Sequence, residues 1–207
     1  MKLNMICVMV AILAFGTGLN GILAKSEAAE MRPSVTVPLL LCGSATEKPQ
    51  PPEKNPPGDI PDNQVFVKYA AGGYELDVPE GWARTTRGTD ARFVYRFDGV
   101  SVTITDAAAP PGADGIRRPQ AEQLKAAGRA VQIKRIETVK ISNEPVVVLE
   151  YTCNSEPDPV VNKQVRLEAG SYFYYKNGKL AELSVWAPLG ADNVDQWRRI
   201  SGSFRWR

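Results

Sequence analysis

The chain has 207 residues, enough for one domain with material to spare. It carries 25 basic and 23 acidic residues, a net charge of +2, and so makes no electrostatic case for a nucleic-acid partner. It contains no histidine, which excludes a histidine general base, Ser-His-Asp and Cys-His arrangements, and every histidine-containing zinc or facial-triad site.

Lys2 precedes a mostly apolar run from Leu3 to Ala24, interrupted by Asn4, Thr17, Asn20 and three glycines. A basic start followed by an apolar stretch predicts an export signal, and the run is also long enough to span a bilayer. A second apolar run, Val35 to Leu41, ends in Cys42-Gly43-Ser44, with Met31-Arg32 just before it as an alternative start of translation. The string Leu39-Leu40-Leu41-Cys42-Gly43-Ser44 resembles the lipobox of bacterial lipoproteins, in which the cysteine is lipidated and becomes the new amino terminus. Leu39 and Cys42 fit that pattern; Leu41 departs from it, because a small side chain normally precedes the cysteine. The resemblance implies a signal over residues 1–42, a fatty-acyl anchor on Cys42, and a domain on the extracytoplasmic face of the cell membrane. A differently processed signal would leave Cys42 unmodified and the domain secreted.

Residues 43–64 hold Pro49, Pro51, Pro52, Pro56, Pro57 and Pro61 among charged side chains. Proline removes the donors a helix or sheet needs, so this stretch is expected to bury nothing and to act as a semi-rigid linker ahead of a domain over 65–207.

Within that domain, Val65 to Tyr69 and Tyr74 to Val78 read as strands, with Glu80-Gly81-Trp82 turning the chain. Phe93, Tyr95 and Phe97 alternate with Arg92, Val94 and Arg96 up to Asp98-Gly99, and Val100, Val102 and Ile104 alternate with Ser101, Thr103 and Thr105 after it. A two-residue loop there pairs Phe97 with Val100, Tyr95 with Val102 and Phe93 with Ile104. Ala107 to Pro119 reads as a loop, and Pro119 then opens a helix over Gln120 to Ala130 with Ala121, Leu124 and Ala127 on one side. Val131 to Ile141 is β-branched, but its alternation slips at Lys134-Arg135, which predicts a bent strand. Asn143-Glu144 turns into a strand from Val146 to Thr152, and Val160 to Ala169 reads as another. Asn177-Gly178 predicts a type I′ hairpin that sets Tyr174 opposite Ala181 and Tyr172 opposite Leu183. A closing helix is expected from Asp192, capped by it, with Val194, Trp197 and Ile200 facing the sheet. Hairpins in sequence with two helices predict an α+β fold: an antiparallel β-sheet flanked by helices.

Gly73-Tyr74-x-Leu76-x-Val78-Pro79-x-Gly81-Trp82, then Phe93 to Asp98, then Tyr174-x-Lys176-Asn177-Gly178 with Leu183, Pro188 and Ile200-x-x-Ser203-Phe204, together resemble the PsbP-like superfamily. That family takes its name from a subunit of the oxygen-evolving complex and shares its fold with a Ran-binding nuclear import factor. The resemblance covers about 65–204 and implies an α/β/α sandwich; its motifs are structural and assign no photosynthetic role.

Candidate chemistry is sparse. Tyr172 to Tyr175 is the densest aromatic run, and alternation places two rings on each face, as covered sheet surface more than as a base-stacking platform. Glu150, Glu156 and Asp158 fit no calcium-loop spacing, Gly112 to Gly115 fits no phosphate loop, and Arg117-Arg118, Lys134-Arg135 and Arg198-Arg199 read as solvated surface. Cys153 is expected to be a buried small hydrophobe, with a Cys42 to Cys153 disulfide as the rival if Cys42 is not lipidated. No catalytic residue, metal or cofactor is assigned. The expected function is a membrane-tethered, non-enzymatic interaction or scaffold domain with a protein partner. A small-molecule carrier would instead need an apolar cavity near Tyr74, Trp82 or Trp186, and a hydrolase a carboxylate pair or Ser-Lys site.

Overall fold

The computed structural model describes residues 47–127 and 129–207. Ten strands follow in order: β1 (Phe66–Ala71), β2 (Tyr74–Pro79), β3 (Ala83–Arg87), β4 (Asp90–Tyr95), β5 (Asp98–Asp106), β6 (Gln132–Ile141), β7 (Glu144–Asn154), β8 (Arg166–Lys176), β9 (Lys179–Pro188) and β10 (Arg205–Trp206). Seven of them form an antiparallel sheet in the order β3-β4-β5-β9-β8-β7-β6, and β1, β2 and β10 form a second, three-stranded sheet. The α+β class and the antiparallel sheet stand, but helices are sparser than the expected flanking layers. They are α1 (Ala113–Gly115), a π-helical turn over Ile116–Gln120, α2 (Ala121–Ala127) and α3 (Val194–Ser203). None of the helices among the described residues is long and apolar enough to cross a membrane.

Alternation along the strands builds two cores, one on each face of the large sheet. On one face Val100, Val102, Ala181, Leu183, Val185 and Tyr174 pack against Leu76 and Val78 of β2 and Ile200 of α3. There Phe204 stacks on Tyr174 with ring centroids 4.4 Å apart and on Tyr74 at 5.7 Å, and the Tyr174 hydroxyl donates to the Ser201 carbonyl at 2.7 Å. On the other face Leu149, Tyr151, Cys153, Phe173, Leu180 and Trp186 pack with Ile116 and Leu124 of the helical run. The Tyr172–Tyr175 run divides between the faces as expected, and Cys153 is buried.

The hairpin at Asn177-Gly178 has both residues at positive φ, and Tyr174 does face Ala181 and Tyr172 Leu183. The expected bend also appears, as a register shift between Ile133 and Arg135.

Four local expectations are corrected. The β4–β5 turn is Arg96-Phe97, with Arg96 at φ 55°, and Phe93 pairs with Val100 instead of Ile104. Gly99 belongs to the strand because the Trp186 indole lies flat on it: a Cβ there would sit 1.8 Å from Trp186 Cζ2. Since the slip is an even number of residues, Phe93, Val100 and Val102 keep their common face. The helix placed after Pro119 begins at Ala113, and Pro119, which has no N–H to give, is carried inside its π-helical turn. Val160 and Val161 are exposed loop residues, and the strand assigned to Val160–Ala169 starts at Arg166 and runs unbroken to Lys176. Lastly, α3 turns Gln196 and Ile200 inward with Trp197 half-buried, while Val194 is 63% exposed. Asn193, not Asp192, is the N-cap residue, and it makes no side-chain cap bond.

The proline-rich segment does bury residues. Glu47 to Gln64 lies along the domain as a strap, with Ile60 in the interior. Prolines need no donors, and the few non-proline groups are met by buried amides of the domain. Asn193 Oδ1 accepts the Ile60 N–H at 2.7 Å, Asn193 Nδ2 donates to the Gly58 carbonyl at 2.8 Å, and Gln196 Nε2 donates to the Ile60 carbonyl at 3.0 Å. At the other end Asn154, fully buried, accepts the Gln50 N–H and donates to the Lys48 carbonyl, and Arg129 pairs with Glu47. Asn193 is absent from its own helix cap because its side chain clasps the strap.

Candidate functional site

The strap roofs one side of a cleft of about 320 Å³, lined among others by Asp59, Glu80, Trp82, Tyr95, Arg96 and Asp98. Gly81, at φ 85°, turns the chain out of β2 so that Trp82 can lie beside the β4–β5 turn. Trp82 and Tyr95 stack with centroids 6.5 Å apart, and Tyr95 is 50% exposed. The Arg96 guanidinium rests over the Tyr95 ring at 5.2 Å.

Asp98, in the same lining, is only 2% exposed, and its Oδ1 has no hydrogen-bond partner among the described residues. Gly58 of the strap lies directly on this carboxyl: a Cβ at Gly58 would come within 2.7 Å of Asp98 Oδ1, and the φ of 115° there suits glycine alone. Burial, then the nearby Asp59 carboxylate, pushes the Asp98 carboxyl up to about 7, and Arg96 only partly opposes that shift.

A second buried polar group lies on the sheet face that carries Trp186. Ser101, Ser184 and Ser171 are paired across β5, β9 and β8. The Ser171 hydroxyl donates to Glu182 Oε1 at 2.9 Å and lies 2.9 Å from the Ser184 hydroxyl. Glu182 is 3% exposed, its Oε2 has no partner among the described residues, and burial pushes its carboxyl up to about 7 against the two serine hydrogen bonds. It is a carboxylic acid built into a sheet that keeps its proton below about pH 7.

Neither group was singled out by sequence reasoning. Asp98 reads as a turn residue and Glu182 falls within a hairpin strand, where the only available signal is an acidic residue in step with apolar neighbours. The residues that sequence did single out scatter. Cys42 lies outside the described residues. Glu150 pairs with Arg135, Glu156 with Arg129 at 2.7 Å, and Asp158 Oδ1 accepts the Val160 and Val161 N–H groups. Gly112 and Gly115 belong to the helical run, Arg117 pairs with Asp114, and Arg198 with Asp195. Among the described residues, no three Cys, Asp or Glu side chains converge as a metal site.

The class these observations define is an α+β domain built on a mainly antiparallel sheet with a few short helices. No family model matches the sequence, and no curated protein matches it. Among solved structures, the chain is similar to the cyanobacterial PsbP (CyanoP) of Synechocystis sp. PCC 6803, with 18% identity, 73% of this chain and 99% of that one covered, and a TM-score of 0.50. A protein from Bacteroides thetaiotaomicron VPI-5482 aligns at 14% identity over 68% of this chain with a TM-score of 0.47, and the chain spans about half of that protein's length (48%). The Ran-binding protein Mog1p of Saccharomyces cerevisiae aligns at 9% identity over 69% of this chain and 95% of its own, with a TM-score of 0.45. The likeness to CyanoP shows a PsbP-like fold.

The motif residues have structural duties within that fold. Gly73, at φ 106°, turns β1 into β2, and the Ser203 hydroxyl accepts the Asp77 N–H at 2.8 Å, fixing the end of α3 to β2.

Proposed function

We propose that this chain is a non-enzymatic binding domain, held on the extracytoplasmic face of a membrane by a lipid on Cys42, that recognises a protein partner. The observation that carries the binding part is the cleft. Trp82 and Tyr95 offer ring faces, Arg96 and the carboxyls of Asp59, Glu80 and Asp98 offer charge, and strap and sheet hold the site open to solvent. These groups grip and orient; they do not amount to a nucleophile with its base. The tether rests on Leu39-Leu40-Leu41-Cys42-Gly43-Ser44 and the apolar run before it.

The carrier reading has one observation in its favour, the volume of the cleft beside Trp82, which lies in the range of small-ligand pockets. Its lining mixes aromatic rings with charged side chains and is not the apolar cavity that reading required, and neither Tyr74 nor Trp186 lines it.

Intact-mass analysis of the protein extracted from its native membrane, with cross-linking in the same membrane, tests the proposal. The expected result is a mature terminus at Cys42 with an added diacylglyceryl mass, and a discrete cross-linked protein partner. An unmodified Cys42 in a chain recovered from the soluble fraction would overturn the tether.

A further inference from the structure

We propose that the Trp82–Tyr95–Asp98 cleft is a binding site for a basic side chain, an arginine or lysine presented by the protein partner. This rests on the reading of the domain as a protein-binding module and adds what it binds.

The ring faces of Trp82 and Tyr95 carry the negative part of the aromatic quadrupole, to which guanidinium and ammonium groups are drawn. Tyr95 already shows that it accepts such a group, since Arg96 of the same chain rests over it at 5.2 Å. In the same lining lies Asp98, an acid whose Oδ1 has no partner among the described residues. Gly58 of the strap covers that oxygen, so the carboxyl acts on a guest in the cleft through its charge and not as a direct acceptor. The side walls add Asp59 from the strap and Glu80 from the turn after β2, so carboxyls outnumber the single cation, Arg96. Asp59 Oδ1 already accepts the Asp192 N–H at 2.9 Å, so it too acts through its charge. Charge complementarity therefore selects a cation, and the ring pair selects one on a side chain that can stack.

Asp98 also couples this binding to protons. The charged groups facing it are Asp59, Arg96 and, across the cleft, Glu80. Because its carboxyl titrates near 7 in the unbound domain, a cation must bind the ionised form and displace a proton. Affinity then rises with pH, by up to about ninefold between pH 6 and 8, as the ionised fraction goes from roughly one tenth to nine tenths. Arg96, a like charge at the rim, opposes the guest.

The test uses the full chain in ¹H–¹⁵N NMR titrations with the blocked tripeptide Gly-Arg-Gly amide, with Gly-Leu-Gly amide and free agmatine as comparisons. The expected result is a set of saturable shifts at the Trp82 indole and the Tyr95 and Arg96 amides with the arginine peptide and none with the leucine peptide, tighter at pH 8 than at pH 6. Asp98→Asn, which removes the charge and keeps the shape, should weaken binding about tenfold and abolish its pH dependence, while leaving the rest of the spectrum in place. Arg96→Gln should tighten binding. Shifts that are absent, shared with the leucine peptide, independent of pH or unchanged in Asp98→Asn would overturn the proposal, as would agmatine binding tighter than the peptide. The titration needs no lipid, so an unlipidated chain that binds the peptide removes the tether and keeps the cleft, whereas a lipidated chain that ignores it removes the cleft alone.

Discussion

Replacing Glu182 by glutamine should make the domain more resistant to alkaline conditions. Burial holds this carboxyl near 7, against an ordinary value of 4.5, so the folded state keeps the proton more tightly than the unfolded chain does. Stability is therefore fully present below about pH 4.5 and is lost as pH rises through 7, the direction set by a proton released on unfolding. The gap between 4.5 and about 7 corresponds to about 3 kcal/mol. Glutamine is nearly isosteric with the protonated acid, can still accept from Ser171, and does not titrate. Urea denaturation at pH 5 and pH 8.5 measures the effect. At pH 5 the variant should match the parent within about 1 kcal/mol, the size of one altered hydrogen bond. Between pH 5 and 8.5 the parent should lose more stability than the variant, by about 3 kcal/mol. Parallel losses in the two proteins would refute the reasoning. Asp98→Asn should remove a further part of the same slope, since that carboxyl is raised for the same reason.

Gly99→Ala places a methyl inside the Trp186 ring and should cost about 3 kcal/mol, with a changed near-ultraviolet Trp signal in circular dichroism. Asn193→Ala leaves the buried Ile60 N–H unpaired, and should cost about 1–3 kcal/mol and open residues 56–62 to protease and amide exchange, whereas a strap that stays protected would show that the prolines alone dock it. Ile200→Ala should cost about 2–5 kcal/mol in thermal or urea melts, Val194→Ala no more than about 0.5, and Trp197→Ala an intermediate amount. Equal losses at Ile200 and Val194 would contradict the assigned face of α3.

What the sequence made legible follows period and turn chemistry. The Asn177-Gly178 turn pinned β8 against β9 residue by residue, because two positive-φ positions in tandem admit few other arrangements. Lys134-Arg135 announced its own bulge by breaking alternation. Asp98-Gly99 carried the same turn chemistry and misled, because the decisive contact is with Trp186, far along the chain and invisible to local pattern. β3 carried no signal at all: every residue of Ala83–Arg87 is exposed, so its pairing with β4 is a backbone matter. The strap was misread for a related reason. Its composition says that it cannot fold on itself, which is true, and says nothing about amides elsewhere that can hold it. The cleft inherits both difficulties, since its roof is the strap and its lining includes Asp98, a residue assigned to a turn.

The docking of the strap changes the length scale on which an anchored form of this protein would work. A free linker from Cys42 to Asn63 in extended polyproline geometry would reach roughly 65 Å from the bilayer. With Glu47 already fastened to Arg129 and the strap to Asn154, the span from Cys42 to Glu47 is at most about 18 Å of chain. The domain would then ride at headgroup level, with the end bearing Arg129 and Asn154 turned toward the lipid. Its search would be two-dimensional, confined to partners embedded in or lying on the same bilayer, and anything that unfastened the strap would lengthen its leash more than threefold.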